Sequence, residues 1–294
     1  MINIPEFNID QSKWVEGKSL WGKKLAKEIR LKLAEDVKKM DTKPGLAVIL
    51  VGEDEASKIY VTNKEKSANE VGFKSIITRM PKNSSEEEIL KIIHEWNADE
   101  SIHGILVQLP LPDKINERKI LQAIDPMKDV DGFHYENIGR LHAKVDGTIP
   151  CTPLGVMVML KELKINLSGK NAVVLGRSNI VGKPMAQMLM DVAQTTVTIV
   201  HSKTSNLDYF IQNADIIVSA MGVRNIINND MVKNGAVIID VGIHRAENGL
   251  CGDLDFEQLE TKASFITPVP GGVGPMTIAM LMYNTFHNAK RKLV

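Results

Sequence analysis

The stretch Ala172-Val-Val-Leu-Gly-Arg-Ser-Asn-Ile-Val-Gly-Lys-Pro184 decides how the second half of the chain is read. Ala172 to Leu175 is a short apolar run of the kind that forms a buried strand, and a helical pattern begins beyond the loop bounded by Gly176 and Gly182. Strand, glycine loop and helix N-terminus together turn backbone N–H groups and a positive dipole end toward a phosphate. The spacing departs from Gly-x-Gly-x-x-Gly, because five residues separate Gly176 from Gly182, and alone the loop reads equally well as a tight turn. The end of the next strand tips the balance. There the chain runs Val200-His-Ser-Lys-Thr204, where an NAD-selective site places an acidic residue against the ribose hydroxyls. Ser202 and Lys203, with Arg177 in the loop, instead offer hydrogen bonds and positive charge to a 2′-phosphate. The expected cofactor is NADP, held by Gly176, Arg177, Ser178 and Ser202.

Outward from this loop, apolar runs alternate with helical patterns in both directions. Later strands are expected at 197–200, 216–218, 237–241 and around 265–266. Upstream, an amphipathic helix over 20–40 stops at Lys43-Pro-Gly45, and strands at 46–51, 73–78 and 104–107 alternate with helices at 56–71 and 85–97. Residues 125–153 are rich in Asp, Gly, Pro and His with weak periodicity, which reads as a long functional or linking loop. A helix over 154–163 then opens the second series, and a last one over 276–290 opens with Pro275 at the first helical position. The pattern is α/β in two domains: residues 1–150 completed by a C-terminal helix at 275–294, and a Rossmann-like NADP-binding domain at 151–274.

Composition narrows the partners. Lys plus Arg (36) balance Asp plus Glu (36), which argues against nucleic acid or an anionic membrane surface and for a small molecule. Cys151 and Cys251 are too few for a disulfide scaffold and lack zinc spacing, so they read as ordinary small apolar residues in a reducing compartment, the cytoplasm. The N-terminus lacks a signal-peptide pattern, no apolar stretch is long enough to span a bilayer, and no metal site is expected.

Tyr60 and Lys64 stand four apart on one helical face. Tyr-x-x-x-Lys is also the active-site pair of short-chain dehydrogenases, but there the glycine loop precedes the pair, whereas here it follows. A surface helix with a snorkelling lysine is the plain alternative. Two segments weigh against it: Gln108 sits at the carboxyl end of a buried strand, where open α/β sheets bind ligands, and Lys128-Asp-Val-Asp-Gly132 brings Asp129 and Asp131 into an unexplained loop.

Seven segments in one order then resemble the bifunctional methylenetetrahydrofolate dehydrogenase/methenyltetrahydrofolate cyclohydrolase family. They are Tyr60-Val-x-x-Lys-x-Lys66, Gly104-Ile-Leu-Val-Gln-Leu-Pro-Leu-Pro112, Lys128-Asp-Val-Asp-Gly132, Pro150-Cys-Thr-Pro153, Gly176-Arg-Ser-x-x-Val-Gly-Lys-Pro184, His201-Ser-Lys-Thr204 and Pro270-Gly-Gly-Val-Gly-Pro-Met-Thr277. The resemblance implies an N-terminal catalytic domain that binds tetrahydrofolate derivatives, with the active-site cleft between it and the NADP domain. It implies Lys64 as the proton-transferring residue, Gln108 tuning it and Asp131 on the pterin edge, with Tyr60, Gly271 and Gly272 beside the folate. Arg177 and Ser202 match the 2′-phosphate positions, and a homodimer through the nucleotide domain is implied. Gly222-Val-Arg-Asn225 departs from the family's usual Gly-x-Pro-Gly turn, and residues 140–149 have no close match. The rival readings are a shikimate-type or amino-acid dehydrogenase, which shares the domain order, and a nucleotide sensor without chemistry.

Overall fold

The computed structural model describes residues 2–246 and 249–291. Short strands Val15–Glu16 (β1) and Ser19–Leu20 (β2) precede helix Gly22–Lys38 (α1). Then Gly45–Val51 (β3), Glu55–Val71 (α2), Lys74–Met80 (β4), Glu86–Ala98 (α3) and Gly104–Val107 (β5) alternate. Helices Glu117–Gln122 (α4), Tyr135–His142 (α5) and Cys151–Glu162 (α6) follow. The second series is Asn171–Leu175 (β6), Gly182–Asp191 (α7), Thr196–Val200 (β7), Leu207–Gln212 (α8), Ile216–Ser219 (β8) and Val237–Asp240 (β9). Strands His244–Ala246 (β10) and Gly249–Cys251 (β11), helix Phe256–Glu260 (α9), strand Phe265–Ile266 (β12) and helix Val273–Arg291 (α10) complete the order.

Two compact α/β units result. The first holds Ile29–Cys151 and the C-terminal segment from Ile278; the second holds Ile2–Glu28 and Thr152–Thr277. Residues 2–28, reckoned from sequence with the first domain, thus group with the second. Ser19 of β2 pairs with Ile266 of β12, and the Glu162 carboxylate accepts the N–H groups of Phe7, Asn8 and Ile9. Residues 1, 247–248 and 292–294 of the expected domains lie outside the described residues.

In the first unit the sheet order is β4-β3-β5, all parallel. All seven residues of β3 are buried, which is why it reads as an unbroken apolar run and not as an alternation. Ala47, Ile49 and Val51 join Ile105 and Val107 of β5 against Ile89 and Ile93 of α3. Each of the buried Val and Ile side chains among them stabilises the fold by about 1.5–3 kcal/mol. The helix ends are where the local signals put them: Asp54 accepts the Ser57 N–H at the start of α2, Gly72 ends it with φ 86°, and Ser85 and Glu88 form a capping box on α3.

The second sheet runs β1-β2-β12-β9-β8-β6-β7, with the Rossmann-type strands parallel. Val173, Leu175, Ile217 and Ile238 form the centre of its core. Among the described residues no helix is long and apolar enough to cross a membrane.

Three expectations need correction. Residues 125–153 are not an irregular loop throughout, since α5 lies within them; eight residues carry little periodicity, and its N-cap is His134, whose ring accepts the Glu136 N–H in place of a usual capping side chain. Helix α6 begins at Cys151 and not at 154, and α10 begins two residues before Pro275.

Lys128 links helix α3 to the loop that follows β5. Only 2% exposed, it donates from Nζ to the carbonyls of Trp96, Asn97 and Asp99 at 2.8, 2.7 and 2.7 Å. A buried ammonium therefore satisfies the last carbonyls of α3 and meets the negative end of its dipole. Lys128→Met should lower unfolding free energy by about 3 kcal/mol, because buried carbonyls lose their donor. Urea titration followed by tryptophan fluorescence measures it, and a loss under about 0.5 kcal/mol would contradict the role.

Candidate active site

Helix α2 buries Ser57, Val61, Lys64, Ala68 and Val71, the spacing of an inward stripe. Lys64 lies on that stripe, 7% exposed, so it is not the snorkelling surface lysine of the plain reading; Tyr60, one turn earlier, is half-buried. Lys64 Nζ donates to Gln108 Oε1 at 2.9 Å. Gln108 is itself fixed: its backbone N–H continues the β5 ladder onto Ile49 O at 2.9 Å, and Nε2 donates to Leu109 O at 2.7 Å, which leaves Oε1 for the lysine. Burial pulls the Lys64 pKa below its ordinary value, against the opposing charges of Asp131 and Cys151. Burial also pushes the Tyr60 phenol up.

The Asp-Val-Asp-Gly loop divides its carboxylates between two jobs. Asp129, fully buried, accepts Gly132 N at 3.0 Å, His134 N at 2.8 Å and Asn137 Nδ2 at 3.0 Å, so it builds the turn. Gly132 has φ 73°, and a Cβ there would stand 2.7 Å from Pro150 N. Asp131 is left to the Lys64 cluster. Burial pushes its pKa up, while the Lys64 charge and a hydrogen bond from Cys151 pull it down.

Cys151 is therefore not the ordinary apolar residue expected from sequence. Its buried thiol, pushed well above the usual range by burial, donates to Val130 O at 3.1 Å beside Asp131. Asn284 of α10 was missed altogether: its Nδ2 donates to Val130 O at 2.9 Å and Ile149 O at 3.0 Å. The available signals were Cys151 inside Pro150-Cys-Thr-Pro153 and the polar residues Asn284, Thr285, His287 and Asn288 that follow the apolar run 278–282 in the last helix.

In the second unit, Leu175 and Val200 are register partners, so Arg177 and Ser202 emerge from adjacent strand ends, both exposed. Gly176 has φ 113°, and a Cβ would lie 2.4 Å from Ala220 O; at Gly182 it would lie 2.2 Å from Gly176 O. Both glycines are thus required by close backbone packing, and the loop they bound leads from strand β6 into helix α7. Ser178 Oγ accepts the N–H groups of Val181 and Gly182 at 3.1 and 3.2 Å, turning the chain into α7. No acidic residue stands at the tip of β7, so the cradle and its Arg177 fit a 2′-phosphorylated dinucleotide.

Gly271 and Gly272 also lie in the second unit, in the turn between β12 and α10. Gly271 has φ 110° with the Trp21 ring 3.1 Å from its Cβ direction, and its carbonyl accepts Lys23 N at 2.8 Å. A cavity of about 310 Å³ opens near the ends of β9 and β12, with Arg224, Asp240, Thr267 and Val269 in its wall. Burial pushes Asp240 up to about 6, despite the N–H groups of Leu254, Asp253 and Gly242 on its carboxylate. Among the described residues no group of three or more His, Cys, Asp or Glu side chains is placed to hold a metal ion.

Residues 20–131 match the tetrahydrofolate dehydrogenase/cyclohydrolase catalytic domain, and residues 150–293 match the NAD(P)-binding domain of the same family. The bifunctional protein FolD of Campylobacter concisus is 56% identical over 261 residues, 88% of this chain and 92% of that protein. That of Lactococcus lactis subsp. lactis is 55% identical over 280 residues, 95% and 98% of the two chains. The crystal structure of bifunctional FolD from Campylobacter jejuni superposes with TM-score 0.90 at 49% identity, covering 92% of this chain and 98% of that one. The Trypanosoma brucei N5,N10-methylenetetrahydrofolate dehydrogenase-cyclohydrolase, complexed with NADP cofactor and inhibitor, gives TM-score 0.90 at 36% identity over 95% and 99% of the chains. With both halves matched and relatives above half identity along nearly the whole length, the chain belongs to the tetrahydrofolate dehydrogenase/cyclohydrolase family.

Proposed function

We propose that the protein oxidises 5,10-methylene-tetrahydrofolate to the 5,10-methenyl cation with NADP⁺, then hydrolyses that cation to 10-formyl-tetrahydrofolate, with Lys64 as general acid and base of the second step. The observation that carries this reading is a lysine buried on an α2 stripe, hydrogen-bonded to Gln108 and coupled to Asp131. Solved relatives named for both the dehydrogenase and the cyclohydrolase support it.

Bound NADP⁺ supplies the hydride acceptor, and the residues fitted to hold it are Gly176, Arg177, Ser178 and Ser202. The methenyl cation is stabilised by its own nitrogen lone pairs, so the first step requires alignment more than acid or base. Hydrolysis needs both. A neutral Lys64 Nζ takes a proton from the water that adds to the methenyl carbon and returns it to the ring nitrogen as the carbon–nitrogen bond breaks, while the remaining hydroxyl proton leaves to solvent as the formyl C=O forms. Burial, which disfavours the ammonium, and a cationic substrate both supply that neutral form. Gln108 Oε1 orients Nζ, and Asp131 holds the pterin edge with Tyr60, Gly271 and Gly272 as further folate contacts.

A homodimer is part of the proposal. Strand β7 is a sheet edge with Ile199 exposed, and the neighbouring helix α7 exposes Met190. An apolar edge of this kind is a template for pairing with a second copy.

Lys64→Met should reduce methenyl hydrolysis by at least about 100-fold while hydride transfer stays measurable, since only the former needs the base. Retention of full hydrolysis, followed at the methenyl absorbance, would remove Lys64 from the mechanism. Arg177→Ala should raise the KM for NADP⁺ about tenfold or more and leave that for NAD⁺ nearly unchanged, because only the former carries the phosphate. Equal changes for both would contradict the phosphate contact. Sedimentation equilibrium should return twice the chain mass, and Ile199→Lys should return the monomer; a monomeric parent protein rejects the dimer.

A further inference from the structure

We infer that Asp253 and His244 are positioning residues for the dinucleotide loop, acting through the backbone that follows β8. The inference rests on reading Gly176-Arg-Ser178 as the phosphate cradle. Asp253 is fully buried, and its carboxylate gathers four donors. Oδ2 accepts Ser219 Oγ at 3.1 Å, Met221 N at 3.2 Å and Gly222 N at 3.1 Å. Oδ1 faces His244 Nε2 at 2.7 Å; a carboxylate only accepts, so Nε2 carries the proton. The Asp253 backbone extends the hold: its carbonyl accepts Asn225 N at 2.7 Å, and its N–H donates to Asp240 Oδ1 at 3.1 Å. Gly242 makes room for this carboxylate, since a Cβ there would stand 2.1 Å from Asp253 Oδ1.

Asp253, by side chain and backbone together, therefore organises residues 219–225, a turn with two left-handed residues, Gly222 at φ 68° and Asn225 at φ 56°. The near end of that turn reaches the cradle. Ala220 N donates to Leu175 O at 2.8 Å, and Ala220 O is the atom that stands 2.4 Å from a Cβ on Gly176. Where Asp253 holds residues 220–222 decides how much room the Gly176 turn has, and hence where its N–H groups point. A neutral amide at 253 substitutes poorly: one orientation turns its NH₂ against the Met221 and Gly222 N–H groups, and the other requires His244 to give up its Nε2 proton and accept instead. The Val-Arg-Asn sequence of this turn, a departure from the family's usual form, is accommodated by the same hold, with Asn225 bonded to the Asp253 carbonyl.

Hydrolysis of added methenyl-tetrahydrofolate consumes no dinucleotide, so it reports whether a variant is folded and competent apart from the cradle. Asp253→Asn should raise the KM for NADP⁺ about tenfold, with saturated kcat, folate KM and methenyl hydrolysis each within about twofold of the parent. His244→Leu should raise the KM for NADP⁺ at least about threefold, and His244→Gln, which keeps an N–H at similar reach, should restore it to within about twofold. An unchanged KM for NADP⁺ in His244→Leu and Asp253→Asn overturns the inference, as does hydrolysis that falls in step with NADP⁺ affinity. Should Asp253→Asn fail to fold, the two His244 variants decide. Arg177→Ala separates the premise from the inference: if it leaves NADP⁺ binding unchanged, the cradle reading fails and takes this inference with it. If it weakens binding while the Asp253 and His244 variants do not, the inference alone fails.

Discussion

Removing a lysine ammonium from water costs several kcal/mol, and the first unit is arranged around meeting that cost at Lys64 without cancelling it. Gln108 gives Nζ one oriented acceptor, and Asp131 gives it a charge close enough to be felt. Neither restores an ordinary lysine, because desolvation remains the largest influence. Everything nearby serves to hold those two partners in place. The β3–β5 register sets Gln108 at a strand end, and Asp129, Gly132, Cys151 and Asn284 fix the loop that carries Asp131.

The second unit answers a different constraint, the close approach of backbone to backbone. Gly176 and Gly182 lie where Cβ atoms have no room, and the carbonyl that excludes one at Gly176 belongs to Ala220. A loop built this way is only as well placed as the segments pressed against it. That is why two buried carboxylates, Asp240 and Asp253, collect backbone N–H groups at the ends of β8 and β9. Their hydrogen bonds fix loops that have no regular ladder to fix them.

Local pattern carried much of this. The alternation of strands and helices was legible because buried parallel strands need unbroken apolar runs and their helices need caps, both written in consecutive residues such as 46–51 and Ser85 with Glu88. Ser202, Lys203 and Arg177, with no acidic residue at the β7 tip, pointed to NADP from sequence because charge at a strand tip is a local property. Helix α5 was not legible, being short and capped by a histidine. The grouping of residues 2–28 with the second unit was hidden too, since it rests on contacts between residues far apart in the chain, Ser19 with Ile266 and Glu162 with Phe7, Asn8 and Ile9.

The chain order of apolar runs, glycines and caps was therefore enough for the fold class, because each such signal lies within a few neighbouring residues; seven ordered segments between Tyr60 and Thr277 pointed to the family and nominated Tyr60, Lys64, Gln108 and Asp131 as candidates. Folding alone decided what those residues meet. Cys151 changes from an apolar filler to a partner of Asp131, and Asn284 reaches Val130 across 154 residues of chain. Asp253 closes on Ser219 across 34. Such contacts leave no periodic trace, because a buried polar atom is satisfied by whichever donor or acceptor the packing delivers, from however far along the chain.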